Sequence, residues 1–128
     1  MRLLLDTHSF LWFCEGSSSL PDTARKAMQD SSNECFVSQA SAWEIAIKVS
    51  LRKLHLEVAY EMLFPASVLL NGFQILEQRV EHYQDLISLP FHHRDPFDRL
   101  LIVQALREGL TIVTRDSWFS AYGVPILW

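Results

Sequence analysis

Short apolar runs alternate with longer segments of helical character along the chain, and this alternation limits the fold more than any other feature. The first run, Leu3-Leu4-Leu5, ends at a carboxylate, Asp6. Four similar runs follow at residues 35–38, 73–76, 111–114 and 124–127. Short apolar strands separated by helices are typical of a parallel sheet that is covered on both faces. The pattern therefore predicts a three-layer α/β domain.

Helices are predicted between these strands, at residues 9–15, 21–30, 39–52, 58–70, 80–89 and 96–108, with a helical turn at 117–122. Pro21 suits the first position of a helix, whereas Pro65 predicts a bend or break in the fourth segment. Gly109 lies just beyond the sixth segment, where glycine favours helix termination. The chain shows no repeat or low-complexity linker, so we expect one domain over residues 1–128.

The charge balance is acidic. With 11 Lys and Arg against 15 Asp and Glu, the formal net charge is −4. This balance argues against broad electrostatic capture of nucleic acid. Hydrophobic residues make up 49% of the chain, enough for a core without disulfides or a structural metal.

The cysteines and the N-terminus predict the compartment. Cys14 and Cys35 lie in apolar company and are expected to be buried, reduced thiols rather than a bridge. The N-terminal apolar run is too short for a signal peptide, and no run approaches the ~20 apolar residues of a membrane span. We therefore expect a cytoplasmic protein with no membrane contact.

Two carboxylates fall at strand ends, which is where parallel α/β sheets bind ligands. Asp6 directly follows the first strand, and Asp116 lies two residues after the fourth. Each has a structural alternative, because an Asp before a helical segment is a favourable N-cap. For Asp116 the cap and the site are equally good interpretations.

Glu44 lies in a helix that is apolar almost all round, with Trp43, Ile45 and Ile47 beside it. Such a pattern is typical of a buried helix. An exposed ion pair with Lys48 at i,i+4 is the alternative, but it stabilises a helix by only a few tenths of a kcal/mol and does not account for the apolar surroundings. We interpret Glu44 as a functional carboxylate.

The segment Asp95-Pro96-Phe97-Asp98 combines a helix start with a second acid. Asp95 is a natural N-cap and Pro96 fits the first helical position. Asp98 shares a helix face with apolar residues and is predicted to point inward, where it can meet other carboxylates.

Together these acids indicate a cation site. Carboxylates crowded into one partly buried cleft repel one another and take up protons, unless a hard divalent cation neutralises them. Mg²⁺ and Mn²⁺ prefer oxygen ligands, and such a site can activate a water for attack on a phosphodiester. Zinc-ligand spacing, nucleotide-binding glycine patterns and a serine nucleophile elbow are absent from the sequence.

Four motifs in order make the whole chain resemble the PIN-domain ribonucleases, specifically the VapC-like toxins of type II toxin–antitoxin pairs. They are residues 3–8 with Leu11-Trp12, residues 38–48, residues 89–102 and residues 110–116. The resemblance implies an α/β/α fold with a parallel five-stranded sheet and a Mg²⁺- or Mn²⁺-dependent endoribonuclease that uses a metal-activated water.

The resemblance also implies roles for individual residues and partners. The acidic quartet would be Asp6, Glu44, Asp98 and Asp116, as catalytic and metal-binding residues. Asp95 would be an auxiliary acid, and Thr114 would stand where the family often has a hydroxyl that holds a metal-bound water. The implied partners are an RNA substrate, a cognate antitoxin that covers the cleft, and a second copy of the chain.

RNA has to be held against a net charge of −4. Lys48, Arg52, Arg99 and Arg115 lie near the acidic motifs in sequence and are candidates for phosphate contacts. A solvated helix face, with local pairing of the acids, accounts for these cations equally well. One or two divalent ions would raise the formal charge to about −2 or 0.

Three rival interpretations remain open at this point. One is a DNA or structure-specific nuclease on the same site, and another is a module whose cleft only binds a basic peptide. A response-regulator receiver domain is disfavoured, because it needs a phosphoacceptor Asp after the third strand, where this chain has Leu76-Glu77.

Overall fold

A computed structural model describes residues 1–128, and its centre is a five-stranded, all-parallel sheet. The strands are β1 (Arg2–Leu5), β2 (Glu34–Ser38), β3 (Gln74–Leu76), β4 (Thr111–Val113) and β5 (Ile126–Leu127). Their order in the sheet is β3-β2-β1-β4-β5. All five strands predicted from the apolar runs are present, with ends that differ by at most two residues. The predicted parallel α/β architecture is confirmed.

The helices are α1 (Thr7–Glu15), α2 (Asp22–Gln29), α3 (Gln39–Ser50), α4 (Val68–Leu70), α5 (Val80–Ser88) and α6 (Pro96–Glu108). A π-helical turn (Met62–Ser67) leads into α4, and a 3₁₀ helix covers Ser117–Tyr122. The prediction of a helix starting at residue 58 was wrong, because helical structure begins only near residue 60. The break expected at Pro65 is present: Phe64 has an extended backbone (φ −135°, ψ 116°), as proline disfavours helical geometry in the residue before it.

The core lies on both faces of the sheet. Leu3 and Leu5 of β1 pack on one side with α1 and α2, whereas Leu4 packs on the other side with α6. All three leucines are fully buried. Alternate residues of a strand point to opposite faces, so a strand buried on both sides needs an unbroken apolar run. This explains the sequence of β1 and confirms three layers.

The strand order reverses direction beside β1. From β1 the chain moves outward through β2 to β3, and then crosses to β4 on the opposite side of β1. Loops that follow two such strands diverge and leave a crevice at the carboxyl edge of the sheet. The Asp6 N–H donates to the Val113 carbonyl at 3.2 Å, which holds the ends of β1 and β4 together at this crevice.

Both cysteines are free thiols, Cys35 buried and Cys14 partly buried. Burial raises the pKa of each thiol to about 11, so both are protonated at neutral pH. None of the helices combines the length and the apolar character that crossing a membrane requires.

Candidate active site

One cavity at the carboxyl edge of the sheet, here called the acidic cleft, collects the acids that the sequence singles out. Its volume is ≈ 120 Å³, room for an ion with a few waters at about 30 Å³ each. The carboxylates that line it are Asp6, Glu44, Asp95, Asp98 and Asp116. The remaining lining residues are Thr7, His8, Lys48 and Phe119. The fold therefore brings all four predicted quartet residues and Asp95 to one place.

Asp6 and Asp116 reach the acidic cleft from the ends of β1 and β4, and each also caps a helix. One oxygen of Asp6 accepts the Ser9 N–H at 2.7 Å at the start of α1. In the same way, Oδ1 of Asp116 accepts the Trp118 N–H at 2.9 Å. In each case only one oxygen accepts a hydrogen bond within the protein, so the second oxygen is left without a partner. The cap and the site are compatible roles.

Glu44 enters the acidic cleft from α3 and is 4% exposed, which confirms that it lies in a buried position. Its Oε1 accepts a hydrogen bond from the Thr7 hydroxyl at 2.7 Å, and its Oε2 forms an ion pair with Lys48. The predicted i,i+4 pair is thus real but lies inside the cleft. The expectation that the helix is buried all round was wrong, because Trp43 is 55% exposed and packs edge-on against Phe97.

The start of α3 is fixed by a buried polar contact with α6. Ser38 accepts the Ala40 N–H at 3.0 Å and donates to Gln104 Oε1 at 2.6 Å. A Ser N-cap stabilises the first turn of a helix. Because Gln104 lies on α6, this contact ties together the two helices that carry Glu44 and Asp98.

Asp98 lies in the first turn of α6, after the cap that Asp95 forms by accepting the Asp98 N–H at 2.9 Å. The pKa of Asp98 is raised to about 8, first by burial and then by the negative charges of Asp95, Glu44, Asp6 and Asp116. At neutral pH, without a cation, a proton on Asp98 is therefore favoured. Repulsion by the neighbouring carboxylates thus adds to the effect of burial on Asp98.

The acidic cleft accounts for the charge of the whole protein. Its five carboxylates and one ammonium give −4, which equals the formal net charge of the chain. Outside these six side chains, ten acidic and ten basic residues remain. The acidity is thus local to the cleft.

The donors of the acidic cleft fit a hard divalent cation in chemistry. Its anionic donors are all carboxylate oxygens, and only Lys48 in the lining offsets their charge. No three His, Cys, Asp or Glu side chains stand in a ready-made metal-binding group. Mg²⁺ usually keeps several of its waters, so carboxylates that do not converge on one point still suit it as water-mediated ligands.

The predicted cations do not all reach the acidic cleft. Arg99 is 4% exposed, and its guanidinium donates to the carbonyls of Leu89 and Pro90. The prediction that Arg99 contacts RNA is therefore corrected: it anchors the loop before α6. Arg52 lies beyond α3 and lines a different cavity, whereas Arg115 is exposed next to Asp116.

Thr114 is fully buried and does not line the acidic cleft. Its Oγ1 accepts the Asp116 N–H at 3.0 Å. The hydroxyl thus positions the backbone of Asp116, and the expectation that it also holds a metal-bound water stays a prediction.

Sequence reasoning missed His93 and Tyr122, the two residues that orient Asp98. Nε2 of His93 lies 3.3 Å from Oδ2 of Asp98, and Nδ1 of His93 lies 2.8 Å from the Tyr122 hydroxyl. That hydroxyl accepts the N–H groups of His92 and His93, both at 3.0 Å, and of the two acceptors within reach of its own proton, Nδ1 is nearer than the His93 carbonyl at 3.4 Å. This arrangement leaves Nε2 as the donor to Asp98. The only sequence signal was the position of His93 just before the Asp95 motif.

Comparison with known proteins now identifies the family. The PIN domain model matches residues 3–125, so the chain belongs to the PIN domain family, a family of nucleases. In sequence, no curated protein matches the chain.

Solved structures share the fold. The chain is similar to a structure of VapBC2 from Rickettsia felis bound to a DNA fragment from their promoter, at 14% identity and a TM-score of 0.71, over 99% of this chain and 98% of that one. It is similar to FitAB bound to an IR36 DNA fragment at 16% identity and a TM-score of 0.68, over 98% of this chain and 93% of that one. FitAcB from Neisseria gonorrhoeae matches at 18% identity and a TM-score of 0.62, over 98% of this chain and 96% of that one.

Replacing Asp98 with Asn is expected to stabilise the metal-free protein at pH 8 more than at pH 5. The folded protein holds a proton on Asp98 up to a pKa of about 8, whereas the unfolded chain releases it near pH ~4, so wild-type stability falls as the pH rises between these values. We expect Asp98→Asn to raise the free energy of unfolding by on the order of 2 kcal/mol at pH 8. This is less than the full pKa shift of Asp98 implies, because the side chain is 25% exposed. Urea unfolding in chelator measures the difference. The exposed Asp22→Asn is the control, and an equal effect of Asp98→Asn at both pH values would contradict the assignment.

Replacing Tyr122 with Phe is expected to destabilise the protein by about 1–3 kcal/mol, because it removes the acceptor of the His92 and His93 N–H groups. The ¹⁵N shifts of His93 should also move away from those of the Nε2–H tautomer. Tyr83→Phe is a matched control, since that hydroxyl contacts only the Gln78 side chain at the surface. Unchanged His93 shifts in Tyr122→Phe would refute the proposed chain of hydrogen bonds.

Proposed function

We propose that this PIN domain is a Mg²⁺- or Mn²⁺-dependent endoribonuclease and the toxin of a toxin–antitoxin pair. The observation that carries the proposal is the acidic cleft, where five carboxylates face one ammonium at the switch point of a parallel sheet. Membership of a nuclease family supports phosphodiester hydrolysis as the reaction.

We assign Asp6, Glu44, Asp98 and Asp116 to hold the cation. When bound, a divalent cation neutralises charge on the phosphate and acidifies a water for attack. Asp98 has to lose its proton as the cation enters, since its raised pKa keeps it protonated at neutral pH.

The other residues of the acidic cleft position these four. Thr7 and Lys48 fix the two oxygens of Glu44, and His93 donates to Asp98. Asp95 caps α6 and adds negative charge beside Asp98. Holding ligands by hydrogen bonds to a surrounding layer of residues sets their orientation and tunes their affinity for metal.

RNA is the proposed substrate on the strength of the resemblance to VapC-like toxins in the four motifs. The fold similarity to VapBC2 and FitAB complexes supports a partnership with an antitoxin. A homodimer and action in the cytoplasm, where a toxin meets cellular RNA, belong to the same proposal. Lys48 and Arg115, at the acidic cleft and beside it, are the cations assigned to phosphates.

Cleavage of end-labelled RNA is expected to require Mg²⁺ or Mn²⁺ and to stop in chelator. Asp6→Asn should reduce the rate by about 100-fold or more, because it removes an anionic oxygen from the cation site. The control is Asp22→Asn, an exposed acid on α2 that should leave the rate unchanged.

The same assay with DNA of equal sequence separates the alternatives. Faster cleavage of DNA would replace the ribonuclease by a DNA nuclease. Cleavage that survives chelator or Asp6→Asn would refute the cation site. Binding of a basic peptide without cleavage of any nucleic acid would favour the peptide-binding module.

Expression of the chain in bacteria is expected to arrest growth, and Asp6→Asn should relieve the arrest. Co-expression of a short neighbouring reading frame should restore growth, and its product should co-purify with the chain. Growth curves measure the arrest and its relief, and affinity purification measures the association of the two products. A wild-type chain that leaves growth unchanged while it cleaves RNA in vitro would separate the nuclease from the toxin role.

A further inference from the structure

A second cavity, here called the tryptophan pocket, adjoins the acidic cleft. Its volume is ≈ 370 Å³, and it shares Asp6, His8 and Asp116 with the cleft. Its other lining residues are Trp12, Arg115, Ser117 and Trp118. Cavities of roughly 300–1,000 Å³ are typical of ligand sites. A polymer whose phosphate lies in the cleft therefore has a larger space next to it.

Trp12 forms a wall of the tryptophan pocket that is held by its neighbours. Its ring lies 5.9 Å from Trp128 and 5.5 Å from His8, measured between centroids. The Arg115 guanidinium lies 5.1 Å from the Trp12 ring, within the range of a cation–π contact. Contacts within the protein therefore already surround the Trp12 ring.

Trp118 differs from Trp12, because no aromatic ring or cation contacts its side chain. The residue is 58% exposed. Its backbone is fixed, since its N–H donates to Oδ1 of Asp116, a carboxylate of the acidic cleft. Its side chain lines the tryptophan pocket next to the cleft and is exposed there without an aromatic partner. Trp43 is similarly exposed but packs against Phe97.

Arg115 supplies a positive charge at the same pocket, where its guanidinium contacts the Trp12 ring but no acid. It forms no ion pair and no side-chain hydrogen bond, whereas Arg79 and Arg107 are paired with acids and Arg99 is bonded to carbonyls. A guanidinium with free donors is suited to a phosphate or to the face of a base.

We propose that the tryptophan pocket binds one nucleotide of single-stranded RNA next to the cleaved phosphodiester. The base stacks on Trp118, and Arg115 contacts the adjoining phosphate. The proposal rests on the proposed ribonuclease function and adds a subsite to it. Unstacked bases commonly bind to aromatic side chains and arginine planes in this way.

The test combines Trp118→Ala with RNA that lacks single bases. First, the bond that the wild type cuts is mapped in a single-stranded oligonucleotide. Each of the three bases on either side is then removed in turn, leaving the ribose and phosphate. At one position the wild type should lose about tenfold in kcat/KM, the loss of one stacked base.

Trp118→Ala should lose about tenfold on the intact RNA and show no further loss at that position. Trp118→Phe should recover part of the activity, because phenylalanine still offers an aromatic face. Trp43→Ala is the matched control: an equally exposed tryptophan outside the pocket, which should leave both kcat/KM and the pattern of base dependence unchanged.

The outcomes distinguish the subsite from the ribonuclease. If Trp118→Ala keeps the base dependence of the wild type, the subsite is refuted while the ribonuclease stands. If the wild type cleaves no RNA, fluorescence anisotropy with the same oligonucleotides decides: a base effect on affinity that disappears in Trp118→Ala supports the subsite alone, and absence of binding refutes both. Loss of dimerisation in Trp118→Ala without an effect on RNA would identify an interface between copies and overturn the proposal.

Discussion

Repulsion among like charges at one edge of the sheet is the constraint on which the site depends. The strand order brings the ends of β1 and β4 together, and α3 and α6 add their acids to the same acidic cleft. Three of the carboxylates accept a backbone N–H at the start of a helix, where the positive end of the dipole favours negative charge. Glu44 has Thr7 and Lys48. Asp98 accepts no backbone N–H, and burial together with the neighbouring carboxylates raises its pKa.

The same arrangement resolves an ambiguity that the sequence leaves open. An Asp before a helix is interpreted either as a cap or as a functional acid, as for Asp6 and Asp116. A carboxylate has two oxygens, however, and in both residues it is Oδ1 that accepts the backbone N–H. The cap then becomes the means by which the second oxygen is held in place. A capping Asp at the carboxyl end of a parallel strand is therefore no argument against a site.

The sequence predicted the sheet, the helices and the five acids because these follow from local patterns: apolar runs, capping residues and strand ends. It failed where burial depends on distant contacts. Trp43 and Glu44 are neighbours on α3, and only the packing of α1 and α6 determines that the acid is buried and the indole exposed. The sequence predicted Arg99 to be a surface cation, because it does not show that the side chain donates to carbonyls of the loop before α6.

The distribution of charge also determines how such a protein can bind RNA. Because the formal charge of the acidic cleft equals that of the whole chain, the remaining surface is balanced and offers no general attraction for phosphates. Binding then has to come from a few local groups, and most arginines are already committed to carbonyls or acids. Stacking of bases is independent of net charge, so an uncovered indole beside the cleft gains importance. If the chain is the proposed ribonuclease, it would select its substrate by the nucleotides that it can stack and by the shape of the strand, rather than by the density of phosphate.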